Sequence, residues 1–179
     1  MKTDKTYNSD FLYELKAPRA SGFIDTVLVL SPDPDLPEGN VLLKGDVKSK
    51  WLPGLGMPVY VVPDEVEPGQ GEILSRAAVT GRIKEDPVCR TVGGKKEGQR
   101  ERLVTSTLLL TEDGPIPVTF WEKNARKFSE RHKAGDVITA AGRLQSRQYP
   151  GRDGKLHTTY ELSAGKFCPG EKEAVINEV

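Results

Sequence analysis

An all-β architecture with one short helix is what this sequence predicts, and three observations lead to it. From Gly142 to Tyr160 the chain reads GRLQSRQYPGRDGKLHTTY, in which Arg143, Gln145, Arg147 and Tyr149 occupy every second position and Leu144 falls on the opposite side. That is the period of a strand with one polar, aromatic face and one core face. Second, the stretch Val41–Lys50 aligns without gaps on Ile138–Arg147 at an offset of 97 residues, and Pro53-Gly54 then falls on Pro150-Gly151. A strand pattern that recurs at this distance predicts two β units in one chain. Third, a helical period appears at residues 122–133, where Ala125 and Phe128 are in phase with Trp121.

The elements follow in order. Residues 1–71 form the first expected unit. Phe11–Lys16 and Phe23–Leu30 read as strands separated by the breakers Pro18, Ser21 and Gly22. Three prolines between Ser31 and Asn40 exclude a regular helix there. Val41–Lys50 is the first arm of a hairpin; its second arm, Met57–Val62, lies on His157–Leu162 and places Tyr60 on Tyr160. Little chain precedes Phe11, so no strand is expected before it and the unit reads as degenerate. Trp51 and Lys48 could meet bases and phosphates as their counterparts would, but a unit this small buries little surface alone, so the expectation is that Trp51 packs against the neighbouring unit and that the acidic first unit is architectural. Glu67–Gly71 reads as the linker.

The second unit spans residues 72–170. Ile73–Ile83 is strand-like, Asp86-Pro87 bends the chain, and Val88–Val92 resumes it. Gly93–Arg100 combines glycines with Lys95, Lys96 and Arg100 and reads as a flexible positive loop. Arg102–Thr111 is β-branched and apolar, Glu112–Pro115 is a tight turn, and Ile116–Trp121 is the next strand. Pro150–Lys155 turns the long hairpin, and Thr158-Thr159-Tyr160 pairs back. Residues 171–179 form a short acidic tail.

Basic and acidic residues balance over the whole chain, at 26 each, but not along it. Residues 1–71 carry a net charge of −4, residues 72–168 of +6 and the last eleven of −2, so attraction for a polyanion is expected in the second unit. Cys89 and Cys168 lack ligand spacing and are expected to be reduced packing residues; no metal or cofactor is implied. Neither an 18-residue apolar run nor a signal-like N-terminus is present, which predicts a soluble, cytoplasmic protein away from membranes. No paired carboxylates, Ser/His/Asp set or phosphate loop stands out, so an enzyme is not expected.

Guanidinium groups that track phosphates beside an exposed ring suit single-stranded nucleic acid. Here the residues resemble a known family. Gly142–Tyr149 (GRLQSRQY) followed by His157–Tyr160 (HTTY) resembles the fourth and fifth strands of bacterial single-stranded DNA-binding proteins, which use the OB-fold. Ala78–Ile83 (AVTGRI) with Asp86–Arg90 (DPVCR) resembles that family's first strand and its bend, Ile116–Trp121 (IPVTFW) its third strand, and Asn124–Gly135 its single helix. The match spans roughly residues 73–168.

The resemblance implies a five-stranded OB barrel with one short helix, preceded by a degenerate OB-like unit. It implies DNA contacts from Arg90, Lys95, Lys96, Arg100, Arg143, Gln145, Arg147, Tyr149, Arg152, Lys155 and His157, with stacking from Phe120 or Trp121. Those two rings are adjacent and must face opposite sides of a strand, so one of them is core. The family's tetramers bring four barrels together, which implies a homo-oligomer, a dimer of two-barrel chains. The short acidic turn at Glu112–Pro115 departs from the long basic loop common in the family and argues against extensive wrapping. The weakly acidic C-terminal stretch lacks the recruiting tip that many members carry.

The expected function is thus non-catalytic binding of single-stranded DNA, with RNA as a further ligand, in replication, recombination or repair. The competing expectation is a protein-interaction module of a replication or primosome-type assembly.

Overall fold

The computed structural model describes residues 2–7, 10–18, 22–37, 39–69, 75–94, 100–151 and 154–170. Its elements are β1 Lys2–Tyr7, β2 Asp10–Pro18, β3 Ile24–Ser31, β4 Val41–Ser49, β5 Val59–Pro68, β6 Ala77–Ile83, β7 Arg90–Val92, β8 Arg102–Thr111, β9 Gly114–Trp121, α1 Lys123–Arg131, β10 Val137–Pro150 and β11 Leu156–Pro169. They build two sheets. The first has the order β1-β2-β3-β5-β4, and the second the order β6-β10-β11-β9-β8-β7 with a further β6–β8 pairing. That pairing joins β6 at one edge of the second sheet to β8, giving the closed OB barrel, and α1 packs its buried Ala125 and Phe128 inside. The first sheet repeats the same strand order but stays open, because among the described residues β1 pairs only with β2.

The repeat extends to a local irregularity. Both long hairpins carry a register shift, between Lys44 and Gly45 in β4 and between Ala141 and Gly142 in β10, at the offset of 97 found in the sequence. Each shift needs its glycine. A Cβ on Gly45 would fall on the Val62 carbonyl oxygen, and one on Gly142 on the Ser163 carbonyl oxygen. In both sheets one pair of strands runs parallel, β3 and β5 with Leu28 opposite Tyr60, and β9 and β11 with Val118 opposite Leu162.

Five expectations need correction. A strand does precede Phe11: β1 is polar, and it is held by pairing with β2 and by the Thr3 hydroxyl, which donates to the Leu12 carbonyl at 3.0 Å. Edge strands tolerate such polar sequences, so hydropathy does not reveal them. Tyr60 lies opposite Lys48, the place that Glu161 takes opposite Gln145, so the second arm of the repeat is one residue out of the expected register. A one-residue slip exchanges the faces of a strand. Glu67 and Pro68 belong to β5 rather than to a linker, and Gln70 and Gly71 lie outside the described residues. Trp51 is exposed at 68%, and Cys168 is exposed as well.

Two cores result. Phe120, Phe128, Ile83, Leu109, Ile116, Val118, Ile138 and Leu162 fill the barrel, with the Phe120 and Phe128 rings stacked at 4.1 Å and Phe167 edge-on to both. Leu12, Leu28, Leu30, Leu52 and Tyr60 form the smaller core of the first sheet. Val59 joins the barrel core, and Val27, Val47 and Val61 pack against it, so the first sheet sits on the outside of the barrel. Apolar burial of this kind is the main source of cohesion. No helix among the described residues is long and apolar enough to cross a membrane.

The β8–β9 turn fastens the two sheets at one end. The Ser49 amide donates to the Asp113 carbonyl at 2.9 Å, and the Lys48 ammonium lies 3.2 Å from the Asp113 carboxylate. The hydrogen bond to Asp113 raises the Lys48 pKa, so this contribution is complete below the ordinary lysine range and is lost as pH rises through the elevated value. Gly114 approaches so closely that a Cβ would fall on the Ser49 carbonyl oxygen. At Gly135, also at positive φ, nothing lies within 4 Å of the added atom. Gly135→Ala should cost about 1 kcal/mol from backbone strain alone, and Gly114→Ala at least twice that. Urea denaturation of the two variants checks this ordering; equal losses would show that the turn is not docked.

Candidate nucleic-acid interface

Strand β10 divides into two parts that its alternation does not distinguish. Leu144 is core, as the period requires, and Arg143, Gln145, Arg147 and Tyr149 share the other face. Beyond the rim of the first sheet that face is open: Arg147 and Tyr149 are exposed, and Tyr149 lies directly opposite His157 with their rings stacked at 5.8 Å. Lys155 and His157 are exposed on the returning arm. A stacked pair flanked by cations is a flat platform for a base with charges for its phosphates.

Below the rim the same face is largely covered, with Arg143 at its half-open edge. Gln145 is only 5% exposed, and its amide donates to the Glu161 carboxylate at 2.6 Å. The Thr119 hydroxyl donates to the other Glu161 oxygen at 2.9 Å, and Arg147 approaches that oxygen at 3.4 Å. Arg143 donates to the Gln145 side-chain oxygen at 3.2 Å and lies 3.5 Å from the buried Asp25 carboxylate of β3. The Ser146 hydroxyl accepts from the Thr26 amide at 3.0 Å. The expected exposure of Gln145 is therefore corrected: a strand face that meets a second sheet has the same polar alternation as one that meets water, and here the polar atoms satisfy one another.

Phe120 is also corrected. With Ile116 and Val118 it forms the inward face of β9, fully buried, and its stacking partner is Phe128. Trp121 is the outward ring. The Arg102 guanidinium lies over it at 4.4 Å and donates to Glu122 at 3.0 Å, which holds the Glu122 carboxyl below the usual carboxylate range. Glu122 itself turns the chain into α1 at a φ of 55°, a conformation rare outside glycine. Arg90 on β7 and Arg100 before β8 are exposed, whereas Lys95, Lys96 and Arg152 lie outside the described residues.

An open cleft of about 790 Å3 runs along the rim, with Arg102, Trp121 and Arg147 on the barrel side and Lys16, Phe23 and Ile24 on the first sheet. Arg102 and Lys16 were missed by sequence reasoning. For Arg102 the signal was present: closing β8 and β9 through the tight turn fixes Val104 opposite Trp121, and Arg102 then sits on the diagonal to that ring. Trp51, expected to be buried, is exposed at the tip of the β4–β5 hairpin.

Fold and site together define a class: two OB-type units, one closed and one open, with a basic and aromatic hairpin tip standing clear of their junction. Residues 74–168 match the model of the single-strand binding protein family, more than half of the chain, and the chain belongs to that family. A single-stranded DNA-binding protein of Clostridium tetani is 26% identical over 96 residues, which cover 51% of this chain and 66% of that protein, just under two thirds of its length. The crystal structure of the wild-type single-stranded DNA binding protein from Thermus aquaticus superposes with a TM-score of 0.64 at 14% identity, covering 97% of this chain and 89% of that one. A deletion mutant of that protein gives 0.62 at 14% identity over 99% and 92% of the two chains. These likenesses span both sheets and show the fold.

The buried carboxylate offers a test of the junction. Glu161→Ala leaves the Gln145 amide and the Thr119 hydroxyl without their acceptor and should destabilise by about 1–3 kcal/mol. Glu130→Ala, on an exposed face of α1, should change stability by less than about 0.5 kcal/mol. Thermal denaturation distinguishes the two; equal midpoints would mean that the seam is hydrated.

Proposed function

We propose that this chain binds single-stranded DNA without catalysing a reaction and with little sequence preference, serving replication, recombination or repair. The observation that carries the reading is the Tyr149–His157 platform with Arg147 and Lys155 beside it, held clear of the junction in a member of this family. Stacking on a ring is indifferent to base identity, and guanidinium and ammonium groups read only phosphate, so neither selects a sequence. The net charge of +6 on residues 72–168 supports attraction of a polyanion, and the exposed Arg90 and Arg100 extend the basic surface. We further propose that residues 72–170 carry most of the affinity and that two chains associate, since the outer edges of β1 and β4 have no strand partner among the described residues. Sedimentation equilibrium tests the association.

Binding to oligo-dT should weaken with salt, with a log–log slope of roughly −0.7 for each phosphate contact and about −3 in total. Tyr149→Ala should cost about 1–3 kcal/mol for oligo-dT and oligo-dC alike. Arg147→Ala should weaken binding and flatten the slope by about one contact. Fluorescence anisotropy across a salt series measures all three. An affinity that does not respond to salt would contradict the reading and favour a protein-binding role, and a parallel series with oligo-rU measures the RNA preference.

A further inference from the structure

The acidic first unit offers little general attraction for a polyanion, yet its hairpin tip has features that this balance does not predict. Trp51 is 68% exposed at the end of β4, and Met57 beside it on the return is 43% exposed. The loop between them is built rather than loose. Leu52 is buried in the first core, its amide donates to the Gly56 carbonyl at 2.7 Å, and its own carbonyl accepts from Leu55 and Gly56 at 3.0 Å each. The Tyr7 hydroxyl donates to the Pro53 carbonyl at 3.0 Å, tying the loop to β1. Gly54 and Gly56 both take a positive φ, and a Cβ on Gly56 would touch the indole at 3.8 Å. The loop that carries the ring is therefore fixed by its own hydrogen bonds, and the ring is open to water.

Charge distinguishes this tip from the cleft. Lys16, Arg102, Arg143 and Arg147 around the cleft each lie within 4 Å of a carboxylate: Glu14, Glu122, Asp25 and Glu161 respectively. Among the described residues the Lys5 and Lys50 side chains have no such partner; Lys50 adjoins Trp51, and Lys5 reaches to 3.9 Å from the place of a Gly54 Cβ. A cation without a carboxylate partner gives its whole charge to a phosphate. The tip also occupies an equivalent place to the proposed DNA platform, because Lys50 stands at the repeat position of Arg147 and Pro53 at that of Pro150.

We propose that the Trp51 tip is a second contact for single-stranded DNA, with the indole stacking on a base and Lys5 and Lys50 meeting the phosphates around it. This rests on the function proposed above and extends it: the first unit lengthens the site instead of serving only as a support. A loop already ordered by its own hydrogen bonds lowers the ordering cost of binding, so one ring carried on it contributes even though the unit as a whole is acidic.

The chain has two tryptophans, Trp51 and Trp121, so in Trp121→Phe all indole emission comes from Trp51. Emission of that full-length variant is to be followed with fluorescein-labelled oligo-dT, whose anisotropy reports binding independently. One OB-fold covers about 4–16 nucleotides, so oligomers of about 8 and about 35 nucleotides separate one unit from two. The long oligomer is expected to quench Trp51. Trp51→Ala should lower affinity for it by about fivefold or more while leaving the short one unchanged, and Trp51→Phe should restore most of the loss. Circular dichroism of each variant confirms folding. Anisotropy that rises on the long oligomer while Trp51 emission stays constant and Trp51→Ala binds normally overturns the second contact and leaves the function standing. No anisotropy change in the wild-type chain overturns both.

Discussion

The Glu161 carboxylate is the constraint on which the arrangement of this molecule turns. It lies 3% exposed between the barrel and the first sheet, where an ion without partners would be prohibitive. Gln145, Thr119 and Arg147 surround it, and Arg143 links this group to Asp25 on the other side of the seam. The Glu161 bonds themselves lie within the second sheet; the Arg143–Asp25 pair and the Thr26–Ser146 hydrogen bond cross to the first, and a slide of one residue would break both. The apolar contacts of Val27, Val47, Val59 and Val61 supply adhesion. The polar chain fixes position, and with it the length of β10 that remains above the rim.

Both units follow one plan with different endings. Glycine-dependent bulges at Gly45 and Gly142 bend their hairpins at the same point, and the strand order is shared. The second closes because β6 and β8 pair and α1 fills the interior with Phe128. In the first, prolines occupy the span where the helix would stand, and β1 and β4 are not joined among the described residues. An open sheet has an apolar face to cover, and the outer surface of the barrel covers it. The short Asp113–Gly114 turn docks on Ser49.

Much of this was legible in the residues. β8 was given to the residue by its β-branched run, α1 by the phase of Ala125 and Phe128, and the hairpin and its repeat by alternation and glycine placement. Strand β1 was not, since an edge strand of lysine, threonine and aspartate has no hydropathy signature. Tyr60 was displaced by one position because identity of residue type guided the alignment, whereas the ladder places it opposite Lys48. At the site, the period separated Leu144 from Arg147 and Tyr149 correctly but grouped Gln145 with them. Period two identifies a face; only tertiary packing decides whether water or another sheet lies against it. Of the adjacent rings, the structure assigns Phe120 to the core and Trp121 to the outside.

The division of β10 into a seated base and a free tip is tested most directly by amide hydrogen exchange on the full chain with and without oligo-dT. The division predicts new protection at Arg147, Gln148, Tyr149, Lys155 and His157, and unchanged exchange at Thr119, Gln145 and Glu161, which the first sheet already covers. New protection at Thr119, Gln145 and Glu161 with none at the tip would contradict it, because DNA would then occupy the surface where the first sheet is seated.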